Sequence, residues 1–394
     1  MTMTSAPLGA SIPRHGRKDH HGPGSGASLH PGVRRYYRKY NLSPGSITNL
    51  SRRKSMDTTA SPKVTVIIPV WNGGDFIGNA IASVLAQTLG DFELIVVDDA
   101  STDNTVDVVG AIHDQDARVT VLHQPERMGV SAARNRGLDM ARGAFVAVLD
   151  ADDVWLPQRL AIMVDVLEQH GVDLVADQQT LVEFGTGRTL GLTMRDAWMQ
   201  GGADIPLSDF VLMDWPGRKD TRNIGLIKAV MRRSTIERAG VRYDETVHLG
   251  EDFLFYACLL VSGARMRFVS TPLYAYSVRT HSLSQLTTPT TGQIEVNRLL
   301  REWLCAHGRQ RADYARVRMI LDYREKALWL QYLLWSLQTR HFLLALRTLP
   351  RIGIDVCFLW VMDFVRRKLH LVQSDFNPAI IGKIERRMPL CRPP

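Results

Sequence analysis

Three carboxylates, Asp150, Asp152 and Asp153, close the run Val146-Ala-Val-Leu-Asp-Ala-Asp-Asp153. Asp150 and Asp152 stand two residues apart, so at a strand end both can turn toward one point. Two carboxylates held together repel and raise each other's pKa unless a cation sits between them. A hard divalent ion such as Mg2+ takes oxygen ligands of this kind, one or two carboxylates together with the phosphate oxygens of a substrate. The triplet therefore points to a phosphate-bearing substrate. The alternative is a plain loop in which Asp153 caps the next helix.

The surrounding pattern says where such a cluster would sit. Val64-Thr-Val-Ile-Ile-Pro-Val70 is a β-branched run of the kind found in buried parallel strands. After the turn Trp71-Asn-Gly-Gly74, Ile77, Ala80, Ile81, Val84 and Leu85 fall on one helical face. Phe92–Val97 reads as a second strand, stopping at Asp98-Asp99, with Ser101 as the expected N-cap of a helix through Val106, Val109 and Ile112. Val119–Leu122 predicts a third strand, Gly129-Val-Ser131 a helix start, and Ala144–Leu149 a fourth strand. Four strand–helix alternations with short links predict a doubly wound α/β sheet with right-handed crossovers. Ligands of such sheets bind at the carboxyl ends of the strands, where both acidic clusters fall. Beyond them, Val172–Ala176 and the segment 224–230 read as further strands, and Ser234–Gly240 as a short helix with a glycine stop.

Composition narrows the function classes. Cys258, Cys305, Cys357 and Cys391 are far apart and match no metal or disulfide spacing, which fits a reducing, cytoplasmic setting. The net charge of +8 is gathered at the ends: residues 1–56 carry ten Lys/Arg against the single acid Asp19, and residues 340–394 carry ten against four. The middle is acidic, which argues against nucleic acid as a partner. No signal-type segment and no apolar run long enough to span a bilayer is expected.

Five motifs then occur in order: Val66-Ile-Ile-Pro-Val-Trp-Asn72, Ile95-Val-Val-Asp-Asp-Ala-Ser-Thr-Asp103, Gly129-Val-Ser-Ala-Ala-Arg-Asn135, Leu149-Asp-Ala-Asp-Asp153 and Gly250-Glu-Asp252. Together they resemble the inverting family-2 glycosyltransferases of the GT-A fold. Lys228-Ala-Val-Met-Arg-Arg233, Arg242-Tyr-Asp-Glu245 and Gly250-Glu-Asp-Phe253 further resemble the succinoglycan-type exopolysaccharide glucosyltransferases. The resemblance implies an α/β GT-A sheet at 61–285, preceded by a disordered basic tail at 1–60 and followed by a helical, amphipathic region at 286–394.

It also implies roles. Pro69, Val70 and Asn72 would wall the base of a UDP-sugar, and Asp98 or Asp99 would accept from the uracil ring, or else cap the following helix. Arg134 would reach base or phosphates through forked hydrogen bonds. Asp152 would ligate Mg2+ or Mn2+ directly, and Asp150 would bind ribose or a metal-bound water. Asp252 would be the base that an inverting transfer requires, with Glu251 beside it orienting the acceptor. Arg279 and His281 would close over the diphosphate.

Residues 290–370 read as helices with an apolar face and basic flanks, suited to the inner face of the cell membrane or to packing on the catalytic domain. The function implied is transfer of a hexose, glucose above all, from a UDP-sugar to a lipid-linked oligosaccharide. Two alternatives remain open: a nucleotidyltransferase that makes nucleotide sugars, and a non-catalytic nucleotide-sugar-binding scaffold.

Overall fold

The computed structural model describes residues 61–194, 202–214, 227–279 and 289–352 apart from 340, 342–346 and 349. The basic tail at 1–60, the region beyond 352 and the candidate residue His281 lie outside the described residues. β1 (Val64–Val70) leads into α1 (Ile77–Leu85), β2 (Phe92–Asp98) into α2 (Thr105–His113), β3 (Val119–His123) into α3 (Val130–Met140), and β4 (Phe145–Val148) into the acidic triplet. The chain continues through β5 (Val154–Trp155), α4 (Arg159–Gln169), β6 (Leu174–Glu183), β7 (Thr189–Leu192), β8 (Ala203–Asp204), α5 (Leu207–Met213), β9 (Val230–Arg232), α6 (Arg233–Ala239), α7 (Glu251–Val261), β10 (Met266–Val278), α8 (Pro289–His307) and α9 (Tyr314–Gln338).

One ten-stranded sheet runs in the order β3-β2-β1-β4-β9-β6-β10-β5, with β7 on β6 and β8 on β10. β1 pairs in parallel with β2 and β4, and β2 with β3, as the four strand–helix alternations predict. The sheet is mixed, because β9 returns antiparallel between β4 and β6. Both faces of the first strands are buried. In β1, Val64, Val66 and Ile68 join a core with α1 and α4, while Ile67 joins the opposite core with α3, α5 and α7. The period-two alternation of a strand thus reads as a continuous apolar run because helices cover both faces.

The C-terminal helices are part of the second core. Val296, Leu300 and Leu304 of α8 and Val317, Ile320 and Leu321 of α9 pack with Phe253, Tyr256 and Leu260 of α7. A buried ion pair between Arg324 of α9 and Asp214, just after α5, ties the hairpin down. For these helices packing against α7 is what the structure shows. The basic flanks that motivated a membrane face lie mostly outside the described residues. No described helix is long and apolar enough to cross a membrane.

Three local expectations are corrected. α2 is preceded by Asn104, not Ser101, whose hydroxyl instead accepts from the Asn72 amide at 2.9 Å. Asp153 caps no helix: α4 starts six residues beyond it, after Gln158, and Asp153 is buried under Tyr274. The strand foreseen at 172–176 runs on to Glu183. The continuation through Asp177-Gln-Gln-Thr180 is polar yet buried; Arg159 pairs with Asp177, and the Met194 carbonyl accepts from Gln178. Polar side chains with buried partners hide a strand from any reading of hydropathy.

Candidate active site

The topology brings four segments to one sheet edge. β1, β2 and β4 are parallel, so Asp98-Asp99 and Asp150 emerge on the same side. β9 runs back against β4 with Val230 opposite Ala147, which carries Lys228 alongside Asp150. α3 lies directly on β1 because Gly137 has no side chain: a Cβ there would stand 2.5 Å from Ile67 Cγ2. That contact places Arg134, one turn earlier, over the strand ends. α7 opens at Gly250, whose φ of 86° is left-handed and favours glycine. The turn delivers Glu251 and Asp252 to the first turn of α7, where the helix dipole favours acids.

These segments converge on a buried set of charges. Arg134, 2% exposed, reaches Asp150 Oδ1 at 2.9 Å with one terminal nitrogen. With the other it reaches Glu251 Oε1 at 2.9 Å and Asp252 Oδ1 at 3.1 Å. Lys228 Nζ lies 2.8 Å from Asp150 Oδ2 and also binds Asp252 Oδ2. The Tyr243 ring lies under the Arg134 guanidinium at 5.1 Å. Burial alone would raise the Asp150 carboxyl, but Lys228 and Arg134 outweigh it and hold that group well below the ordinary range. Burial likewise disfavours the Lys228 ammonium, yet Asp150 and Asp252 keep it charged. For Asp252 burial prevails: its carboxyl is raised despite the attraction of Arg134 and Lys228. Its Oδ1 has an ion-pair partner but no hydrogen-bond donor aimed at it. A carboxylate of raised proton affinity with an unsatisfied oxygen has the character of a base.

Asp152 lies on the open side. It is partly buried, and Arg279, immediately after β10, donates to its Oδ2 at 3.1 Å. Burial and the neighbouring Asp150 raise its carboxyl, and Arg279 offsets part of this. Arg279 packs against the corner formed by two edge-to-face aromatic rings, 4.4 Å from the centre of Phe76 and 5.0 Å from that of Phe184. Asp153 turns the other way. Tyr274 Oη donates to its Oδ2 at 2.6 Å and the Ser277 amide to its Oδ1 at 2.7 Å. The two members of the D-x-D thus separate from Asp153, which braces β10.

At the end of β2, Asp99 holds the loop before α3: Oδ1 accepts from Gln124 Nε2 at 2.6 Å and the Met128 amide at 2.7 Å, and Oδ2 from the Gly129 amide at 2.8 Å. Asp98 accepts from the Ser101 amide and faces His123 Nδ1 at 3.3 Å. Pro69 and Val70 are buried in β1, the latter's carbonyl accepting from the Asp99 amide at 2.8 Å. Asn72, at φ 50°, binds the Thr102 amide through Oδ1. Beside it the exposed Trp71 carries the Arg127 guanidinium 3.5 Å over its ring.

Residues 65–233 match the family model described as glycosyl transferase family 2. Residues 65–233 carry a family 2 glycosyltransferase domain. It is similar to the succinoglycan biosynthesis protein ExoU of Rhizobium meliloti (strain 1021), 36% identical over 230 residues that cover 58% of this chain and 66% of that protein. ExoO of the same organism is 33% identical over 225 residues, covering 57% and 63%. The chain therefore spans just under two thirds of the length of these curated relatives. The glycosyltransferase domain also shares its fold with S. aureus TarS 1–349, solved in complex with UDP-GlcNAc, at a TM-score of 0.55 and 21% identity over 66% of this chain and 72% of that one. The sheet and its helices are accordingly a GT-A fold.

In this glycosyltransferase domain Asp150, Glu251, Asp252 and Arg134 meet in one network, with Asp152 and Arg279 at its edge. Asp98, Asp99 and Asn72 form a separate hydrogen-bonded group at the β1 and β2 ends. Lys228 is the member that motif reading left without a role. Its signal was present: a lone lysine in the apolar run Ile227-Lys-Ala-Val-Met231. A lysine buried in such a run needs a carboxylate partner.

Proposed function

We propose that this chain is an inverting hexosyltransferase, moving a hexose, glucose above all, from a UDP-sugar to a lipid-linked oligosaccharide in exopolysaccharide assembly. The observation that carries the reading is the joining, through Arg134, of the D-x-D carboxylate Asp150 to Glu251 and Asp252. One set of groups suits a nucleotide diphosphate and the other an attacking hydroxyl, and an inverting transfer needs both across one bond. The two relatives named for succinoglycan biosynthesis support the exopolysaccharide context. We place the enzyme at the cytoplasmic face of the inner membrane, where a lipid-linked acceptor would be met.

In this reading Asp252 takes the proton of the acceptor hydroxyl. The freed oxygen forms a bond to the anomeric carbon from the face opposite the leaving group. The bond from that carbon to the diphosphate oxygen breaks, and its electron pair leaves with UDP. Arg134 holds Asp150 and Glu251 in place beside the reacting groups, while Glu251 orients the acceptor. Arg279, packed against Phe76 and Phe184, meets the phosphate oxygens, a role proposed for His281 as well. Asn72, Pro69 and Val70 with Asp98 or Asp99 wall the base.

Among the described residues no three His, Cys, Asp or Glu side chains form a metal-binding group. The donor set still fits Mg2+ or Mn2+, because such ions bind through one or two carboxylates and complete their shell with substrate phosphates and water. Asp152 would hold the ion directly, and Asp150, both of whose oxygens are engaged by Arg134 and Lys228, would act through water or ribose. When bound, the ion neutralises charge on the departing diphosphate.

The test is UDP release from a panel of UDP-glucose, UDP-galactose and UDP-GlcNAc, with and without a lipid-linked oligosaccharide. Acceptor-stimulated release from one of them is the expected result. Absence of UDP release from every donor would overturn the reading.

A further inference from the structure

We propose that Lys228 is a positioning residue that ties the donor-side carboxylate Asp150 to the acceptor-side carboxylate Asp252 and fixes their separation. The proposal rests on the transferase reading of this site. Its basis is that one ammonium contacts both carboxylates, Asp150 Oδ2 at 2.8 Å and Asp252 Oδ2.

The position of that ammonium is dictated by the scaffold. Lys228 is 4% exposed, and its neighbours Ile227 and Ala229 are fully buried. Its own carbonyl accepts from Arg159 at 2.5 Å, and Arg159 is pinned in turn by Asp177. The next amide, of Ala229, donates to Tyr256 Oη of α7 at 3.1 Å. The backbone is therefore clamped on one side to α4 and on the other to the helix that carries Asp252. Lysine on a surface loop would follow its ligand; here the stem is fixed and the carboxylates are arranged around it.

Charge counting gives the reason. Without Lys228, Arg134 alone faces Asp150, Glu251 and Asp252. Like charges at this spacing repel, and of the two cations that bridge Asp150 and Asp252 only Arg134 would remain, on the Oδ1 side of each carboxylate. A misplacement of about 1 Å in a reacting group costs on the order of 100-fold in rate.

The experiment compares Lys228→Met and Lys228→Arg in the full chain. Turnover is read as UDP release from UDP-glucose into water, which takes the acceptor's place, and UDP affinity is read by calorimetry. Lys228→Met is expected to lower kcat about 100-fold while donor KM and UDP affinity stay within about threefold, the pattern of a lost transition-state interaction. Lys228→Arg, whose guanidinium can still span two carboxylates, is expected to recover kcat to within about tenfold of the parent. Unchanged kcat in Lys228→Met overturns the proposal, as does a loss confined to KM and UDP affinity, or an arginine variant no better than methionine. If circular dichroism shows Lys228→Met unfolded, Lys228→Gln takes its place and is read against Lys228→Arg by the same outcomes. A parent enzyme that binds UDP but turns over no UDP-sugar overturns the transferase reading and this proposal with it. An active parent with an unaffected Lys228→Met overturns this proposal alone.

Discussion

Tyr274 donates its hydroxyl to Asp153 across the β10–β5 pair, at 2.6 Å, with both side chains buried. The bond takes the third acidic residue of the triplet out of the chemistry and makes it a structural strut. Tyr274→Phe leaves one oxygen of Asp153 without its donor and is expected to lower stability by about 1–3 kcal/mol. Thermal unfolding of the purified variant checks this; an unchanged melting temperature would show that the bond carries no stability.

Asp252→Asn keeps the shape of the proposed base and removes its ability to take a proton. UDP release should fall by about 10²–10⁴-fold, with UDP binding retained. Full activity in the variant would sink the assignment of Asp252.

Chelation addresses Asp152. EDTA should suppress UDP release, and Mg2+ or Mn2+ added back should restore it. Asp152→Asn should raise the ion concentration needed for half-maximal rate. Turnover indifferent to EDTA would remove the metal role from Asp152.

Cys258 sits inside α7 among apolar side chains. Burial, with Asp244 adding to it, pushes its thiol up to about 12. The thiolate is the reactive form, so Cys258 should resist iodoacetamide at pH 8 in the folded enzyme and react once the chain is unfolded. Peptide mapping after alkylation reads this directly; labelling of folded protein at Cys258 would contradict it.

Glu183, at the end of β6, is bound by Arg188 and Thr186, and these hydrogen bonds hold its carboxyl down at about 2, against an ordinary 4.5. A depressed carboxylate contributes stability that is present above the ordinary value and is lost as pH falls through the depressed one. The β6–β7 hairpin should therefore loosen between about pH 4.5 and 2. Because the pair is solvent-exposed and screened, the effect is local. Amide exchange at Gly187, whose N–H donates to the Glu183 carbonyl, corrected for the intrinsic rate at each pH, is the readout. Protection that is flat across that window would refute it.

The first four strands were legible because each is a mainly β-branched or apolar run between short polar turns, and because parallel strands send their ends to one edge. That edge made Asp98-Asp99 and Asp150-Ala-Asp152 candidates before any geometry was known. What periodicity could not give is the return of β9 between β4 and β6. That pairing is non-local, so nothing near Lys228 in sequence announces that it will meet Asp150 and Asp252. The misplaced caps have a similar origin. Ser101 and Asp153 have the side chains that cap helices, but each is claimed by a partner far along the chain, Asn72 and Tyr274. Local propensity loses wherever a distant group offers a better bond.

The shared core of α7, α8 and α9 sets a rule for anyone recombining such enzymes. Glu251 and Asp252 ride on a helix whose other face is upholstered by the C-terminal hairpin. A chimera cut near residue 285, between sheet and hairpin, would set the helix that carries Asp252 against a foreign surface and shift it relative to Asp150. Grafts meant to change the acceptor should carry α7 and the hairpin together, with the seam placed before Gly250.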